Sequence, residues 1–230
     1  MINYLFSLRE EEIFKTLKEL KECFFVVIGG YAVNAYALPR FSTDCDIVIK
    51  DENELRKIEK HLLKRGYEKE KLLKEAQYSG SFFRYEKTLD TNFSVSMDIL
   101  VGKVTDRMTG AIFATDWVFE NSNTRLLNGK TIAEELRLRI INIDALLVMK
   151  IISCRSTDIR DVFMMIPSAK DKNWIVSEIQ LRCAFNDRLA KIMEKVNSTQ
   201  FKDGLSGVYG RVEQKLFEKH RNALLSLQSK

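Results

Sequence analysis

The sequence predicts an α+β protein: a mixed β-sheet flanked by helices over residues 1–142, then a helical bundle over residues 143–230. Three observations carry this. The run FFVVI (24–28) is continuously apolar and β-rich, as expected of a buried central strand. Residues 67–141 hold further short β-rich runs with polar connections. After Asn142, a suitable N-cap, the apolar period turns helical and stays so.

Taken in order, residues 10–22 place Ile13, Leu17 and Leu20 at helical spacing, with acids in the first turn. FFVVI follows, and the glycine pair Gly29–Gly30 opens a short helix that Pro39 must stop. DCDIVIK (44–50) is a second strand. Asp51 marks the start of a helix lined by Leu55, Ile58, Leu62 and Leu63, with Gly66 as its C-terminal cap. RYEK (84–87), FSVSMDILV (93–101), WVF (117–119) and RLRII (137–141) are candidate strands. Beyond them, 143–154, 157–166, 172–196 and 210–228 each form a helix with an apolar stripe; the last carries Val212, Leu216, Ala223 and Leu227.

Composition narrows the classes. The chain has 230 residues, 45% hydrophobic, and only two prolines, so a long flexible linker is not expected. No apolar run approaches the roughly 20 residues that span a bilayer, and the N-terminus lacks the pattern of a signal peptide, which points to a cytoplasmic protein. Cys23, Cys45, Cys154 and Cys183 are scattered without C-x-x-C pairs, and there are two histidines; free thiols are expected and a zinc site is not. The net charge of +5 is confined to the end of the chain: residues 143–230 hold 15 Lys and Arg against 10 Asp and Glu, while the rest balances at 22 and 22. Such an excess suits an acidic partner such as RNA, and a solvated surface equally well.

The chemistry concentrates in IGGYAVNAYALPRFSTDCDIVI (28–49). On a strand, side chains two apart share a face, so Asp44 and Asp46 project together and Cys45 turns away. Two like charges about 6–7 Å apart repel, and a divalent cation between them resolves the conflict. Magnesium takes one or two carboxylates and completes its shell with water and phosphate oxygens. Asp98 interrupts the apolar strand SVSMDILV, where an unpaired carboxylate is costly. If that strand neighbours the first, three carboxylates converge and could hold two metals; otherwise Asp98 is a capped or solvent-facing residue near a strand end. Gly29 and Gly30, at a strand-to-helix turn, let backbone N–H groups approach a triphosphate closely. A glycine pair alone fits a tight turn as well; Gly-Gly, thirteen residues and Asp-x-Asp, each at a strand boundary, is more specific.

These parts resemble the nucleotidyltransferase superfamily, which includes DNA polymerase β-like enzymes and antibiotic nucleotidyltransferases: IGG (28–30), DCD (44–46) and MDIL (97–100) match its glycine pair, Asp-x-Asp strand and later strand carboxylate. Within it the chain looks most similar to the AbiEii-type toxins of abortive-infection toxin–antitoxin pairs, through RFSTDCD (40–46) and LLVMKIISCRSTDIRD (146–161). The likeness covers about residues 24–165. It implies a nucleotidyltransferase fold over 1–142 and transfer of a nucleoside monophosphate from a nucleoside triphosphate to an acceptor hydroxyl, with Mg²⁺ or Mn²⁺. Asp44, Asp46 and Asp98 would be the metal-holding and catalytic carboxylates, with Asp98 helping to deprotonate the acceptor. Gly29, Gly30, Arg40, Ser42, Lys150 and Asp161 would lie at the nucleotide. For the toxin branch it implies RNA, such as the 3′ end of tRNA, as acceptor, and a cognate antitoxin as a partner.

The residues leave alternatives open. Lys150, among apolar neighbours, wants a phosphate or a carboxylate, so a salt bridge from it or from Arg155 to an aspartate is the plain structural reading. Arg40 could bind phosphate or orient Asp44. A small-molecule acceptor, as in the antibiotic-modifying relatives, rivals RNA, and a non-catalytic nucleotide- or partner-binding domain is a third reading.

Overall fold

The computed structural model describes residues 2–70 and 81–228. The chain divides into two compact units. The first comprises Met1–Ala35, Phe41–Thr105 and Phe113–Ile141; the second comprises Tyr36–Arg40, Asp106–Ile112 and Asn142–Lys230. The main break thus follows Ile141, and two short excursions from the N-terminal half cluster with the C-terminal helices.

In chain order the first unit contains α1 (Ile2–Glu19), β1 (Phe25–Val27), α2 (Gly29–Val33), β2 (Asp44–Ile49) and α3 (Glu52–Lys64). Then come β3 (Glu68–Lys69), β4 (Ser81–Asp90), β5 (Phe93–Val101), β6 (Lys103–Thr105), β7 (Ile112–Ala114, its first residue counted with the second unit), α4 (Thr115–Glu120), β8 (Ser122–Leu127) and β9 (Leu136–Ile141). Seven strands form one mixed sheet in the order β3-β4-β5-β2-β1-β9-β8, and β6 pairs with β7 separately. The central strands are apolar for the expected reason: every residue of β1 is buried, as are Ile47, Val48 and Ile49 of β2. Only the first half of β2 opens to solvent, and there the carboxylates stand.

Helix α1 begins at Ile2, not at residue 10, so Glu10, Glu11 and Glu12 lie mid-helix instead of in its first turn. Glu10 and Glu12 have structural uses there. Glu10, 1% exposed, accepts hydrogen bonds from Lys130 N, Thr131 N and Thr131 Oγ1. Glu12 holds Arg65 at 2.8 Å and Lys87 at 3.0 Å. Helix α2 ends at Val33, well short of Pro39. Helix α3 starts as the sequence indicates, with Asp51 accepting from the backbone N–H groups of Asn53 and Glu54, and Gly66 takes φ +82° beyond its end. Leu55, Ile58 and Leu62 are buried, but Leu63, one position round the helix from Leu62, is exposed. Two sequence assignments differ. WVF is part of α4, not a strand, and β8 is a strand whose residues SNTRLL carry little apolar signal.

The second unit contains α5 (Ile143–Ser153), α6 (Ser156–Met165), a 3₁₀ turn (Ile166–Ser168), α7 (Lys172–Gln180), α8 (Phe185–Val196), α9 (Thr199–Tyr209) and α10 (Gln214–Leu225). Asn142 caps α5, its Oδ1 accepting from Ala145 N at 2.8 Å. The single helix expected over 172–196 is two, broken between Leu181 and Ala184, and α9 fills the interval before the last helix. In α10 the buried stripe is Phe217, His220 and Leu224; Leu216, assigned to that stripe from sequence, is exposed. Phe163 of α6 meets Phe201, Phe217 and His220 with ring centroids 5.2, 5.0 and 5.3 Å away. No helix among the described residues is long and apolar enough to cross a membrane, and all four cysteines are free thiols.

His220 gives this unit a pH dependence. Its Nδ1 lies 2.7 Å from the Phe163 carbonyl, and burial lowers its pKa below the ordinary 6.5 despite that hydrogen bond. The unfolded chain therefore takes up the proton more readily than the folded one. Stability is complete above 6.5 and falls as pH drops from there towards the lowered folded value. Thermal melts on the two sides of 6.5 should show this loss in the wild type and a reduced one in His220→Phe; an identical slope in both would reject the assignment.

Candidate active site

The end of β1 and the exposed half of β2 are joined through Gly29. The backbone N–H of Ile28 donates to the carbonyl of Asp46 at 3.0 Å, and the chain then turns through Gly29 at φ +64°. A Cβ placed on Gly29 would lie 1.9 Å from Asp46 Oδ2 and 2.7 Å from its Cγ. The Asp46 carboxylate thus rests on bare backbone, and the position requires glycine for both conformation and space. Gly30, buried, continues into α2. The glycine pair and the Asp pair, separated by thirteen residues in sequence, meet in the fold through Gly29 and Asp46.

On β2, Asp44 and Asp46 are part-exposed and Cys45, between them, is fully buried on the other face. Ser42 Oγ lies 3.4 Å from Asp44 Oδ1. Strand β5 runs parallel to β2 in a register that sets Asp98 beside Asp46 and Ser96 beside Asp44. On the other side of β5, antiparallel β4 sets Arg84 beside Asp98. One row across the sheet therefore reads Asp46, Asp98, Arg84, all on the same face.

Asp98 stands beside Asp46 in the strand register, but its carboxylate is already engaged. Arg84 grips it with two parallel bonds, Nε to Oδ1 at 2.8 Å and Nη2 to Oδ2 at 2.6 Å. The Asp98 side chain is 5% exposed and that of Arg84 is 34% exposed. Burial pushes the Asp98 carboxyl up and Asp44 adds to this, against the pull of Arg84; the contact with Asp98 raises the guanidinium's pKa. The Cys45 thiol is held well above its ordinary range, by burial first and then by Asp46, Asp44 and Asp98, so it is no nucleophile. A second cation comes from α1. Arg9 donates from Nε to the Ser94 carbonyl at 2.9 Å, lies 4.1 Å over the Phe93 ring, and feels the charge of Asp44. Sequence reasoning missed both arginines. Nothing in the primary structure marks Arg84 until β4 is paired with β5, or Arg9 until α1 is extended to Ile2.

The donor set fits a hard divalent cation in part. Asp44 and Asp46 provide two accessible carboxylate groups on one face, the number magnesium commonly takes from protein. The third expected ligand does not join them freely, and among the described residues no set of three His, Cys, Asp or Glu is arranged to hold a metal ion.

The other residues singled out in the sequence, Arg40, Lys150 and Asp161, lie together within the second unit. Arg40 donates from Nε and Nη2 to the two oxygens of Asp161 at 2.7 and 2.6 Å. Lys150 Nζ sits 2.9 Å from both Asp158 Oδ1 and Asp161 Oδ2. Arg155 Nε closes the cluster on Asp158 Oδ2 at 2.6 Å. Arg40, Lys150, Asp158 and Asp161 are all buried. Burial would lower the Lys150 pKa, but Asp161 and Asp158 outweigh it and hold the ammonium charged. Burial would raise both aspartates, yet Lys150, with Arg40 on Asp161 and Arg155 on Asp158, keeps each below the ordinary 3.8. Lys150, expected at nucleotide phosphates, is here enclosed by two carboxylates, and Arg40 is clamped to Asp161.

No protein-family model matches the chain, and no curated protein matches it by sequence. Solved structures do match. MenT4, a nucleotidyltransferase toxin from Mycobacterium tuberculosis H37Rv, superposes with a TM-score of 0.62 at 13% identity, over 99% of this chain and 85% of its own. A candidate nucleotidyltransferase from H. pylori superposes with a TM-score of 0.51 at 15% identity, over 96% of this chain and 92% of its own. The glycine turn, the Asp-x-Asp strand and the neighbouring parallel strand with its carboxylate stand within that common architecture: the chain has the nucleotidyltransferase fold.

Proposed function

We propose that the chain transfers a nucleoside monophosphate from a nucleoside triphosphate to an acceptor hydroxyl of RNA, the 3′ end of tRNA being the first to test, with Mg²⁺ or Mn²⁺. The observation that carries the reading is the paired, part-exposed Asp44 and Asp46, with Asp46 seated on the Gly29 backbone. Asp44 and Asp46 would hold the cation, which supplies charge neutralisation at the phosphates and a lowered pKa for the acceptor hydroxyl. The chain's own part is placement. Gly29 fixes the Asp46 carboxylate, Ser42 lies against Asp44, and Arg84 and Arg9 add fixed positive charge around the pair. In the reaction the acceptor oxygen bonds to the α-phosphorus, the bond to pyrophosphate breaks so that pyrophosphate leaves, and the hydroxyl proton passes to solvent water. Catalysis of this kind rests on alignment and preorganised charge.

Support for RNA as acceptor comes from the basic excess of residues 143–230 and from the likeness to a chain named as a toxin. That likeness also motivates a search for an antitoxin partner. The test incubates the protein with each labelled nucleoside triphosphate, magnesium and total RNA. Label is expected in RNA, and Asp46→Asn should reduce its incorporation by at least about a hundredfold, the scale on which one preorganised charge-stabilising group acts. Full activity in Asp46→Asn would overturn the site, and nucleotide binding with no label in RNA would shift the acceptor to a small molecule.

A further inference from the structure

We propose that Arg84 is the fixed cation that receives a phosphate group of the nucleoside triphosphate, and that Asp98 positions it and is not a metal ligand; this rests on the nucleotidyl-transfer reading above. A guanidinium has five N–H donors. Asp98 occupies two of Arg84's, the Nε–H and one on Nη2, leaving three. The guanidinium makes no other hydrogen bond among the described residues; the backbone carbonyl of Arg84 accepts from Glu70 N, while the Glu70 carboxylate, 3.9 Å from Nε, is a charge contact only.

The two partners are not buried alike. An arginine present only to satisfy Asp98 would sink with it, yet the carboxylate side chain is 5% exposed and the guanidinium 34%. The anion is the anchor below, and the cation stands at the surface with its remaining donors. Its place is set by the same ladder that sets Asp46, on the same face, and Asp44 is close enough to raise its pKa further. A side chain held by two parallel bonds has already lost the rotamer freedom that a ligand would otherwise have to remove.

The assignment also explains why Asp98 makes a poor third metal ligand. A dication on its carboxylate would sit beside the guanidinium that both oxygens already face, and the two positive charges would repel. Arg84 thus provides positive charge at a place where the three-carboxylate arrangement would put a second metal.

The test separates the two roles with probes that need no turnover. Inorganic tripolyphosphate is titrated calorimetrically into wild-type protein, Arg84→Ala, Arg84→Lys and Asp98→Asn in the presence of EDTA; Mn²⁺ alone is titrated by electron paramagnetic resonance into the same proteins and Asp46→Asn. Circular dichroism confirms that each is folded. Tripolyphosphate should bind the wild type without metal and bind Arg84→Ala about tenfold more weakly or worse, the worth of one charge-assisted hydrogen bond. Arg84→Lys should not restore it, since an ammonium cannot grip Asp98 with two parallel bonds and face outward as well. Asp98→Asn should lose tripolyphosphate affinity comparably while keeping the wild-type Mn²⁺ affinity, which Asp46→Asn should lose. Wild-type tripolyphosphate affinity in Arg84→Ala, none in the wild type, or Mn²⁺ loss in Asp98→Asn equal to that in Asp46→Asn would each overturn the proposal. Failure of the underlying reading shows separately, as Mn²⁺ binding indifferent to Asp46→Asn or as absent label transfer.

Discussion

Gly29→Ala is expected to reduce nucleotidyl transfer by at least about a hundredfold, the loss that follows when a reacting group moves by about 1 Å. The new methyl would fall 1.9 Å from Asp46 Oδ2, far inside van der Waals contact, and the backbone there is at φ +64°. The carboxylate must swing away or the turn must open, and either change takes Asp46 from Asp44. The strained φ adds about 1–2 kcal/mol to the loss of stability. A double-mutant comparison isolates the clash. In an Asp46→Ala background the same glycine substitution should cost only the conformational part, so its effect on melting temperature should shrink. Equal shifts in both backgrounds would mean that Asp46 does not lie against Gly29.

Asp161→Ala should be the most destabilising single change in the second unit, by about 3–5 kcal/mol, because it strands buried positive charge. Arg40 would lose both of its bonds to the carboxylate, and Lys150 one of its two partners. Urea unfolding measures this directly; a loss below about 1 kcal/mol would be the behaviour of a solvated pair and would contradict the burial. Replacing Arg40 and Asp161 together by apolar residues should cost much less than Asp161→Ala alone. Acid gives an independent readout. Asp158 and Asp161 are both held below the ordinary 3.8, so their contribution is complete above that value and is lost as pH falls through the lowered folded values. That acid limb should be smaller in Asp161→Ala.

Much of the sheet and the position of its acids could be read from residue order alone, because strand alternation is strict. Asp44 and Asp46 had to share a face and Cys45 had to oppose them, and the solvent exposure follows that pattern. The caps Asp51, Asn142 and Gly66 were equally legible, since each satisfies a local requirement of the backbone. Where the reading failed, information beyond the local window decided. Trp117, Val118 and Phe119 suit a strand by propensity, but three residues are too few to separate strand from helix, and they form α4. Leu216 and Phe217 are adjacent, and only packing selects Phe217 for the aromatic cluster around Phe163. The occupancy of Asp98 was the least legible feature. Its partner Arg84 precedes it by fourteen positions, and the contact exists only because β4 and β5 pair in one register. Lys150 could be placed among apolar neighbours, but that two aspartates from the next helix enclose it depends on how α5 meets α6.

The row of acids on β2 and β5 also constrains how the chain can fold. Slide β2 along its neighbours by one position and each of its side chains changes sides. Asp44 and Asp46 would then face the apolar interior that Cys45 and Ile47 now fill, where burying two carboxylates is costly. The residues assigned to chemistry therefore double as a proofreading device for strand assembly. Neutralising both in one variant should leave a chain that is inert and, in addition, less certain of its own alignment.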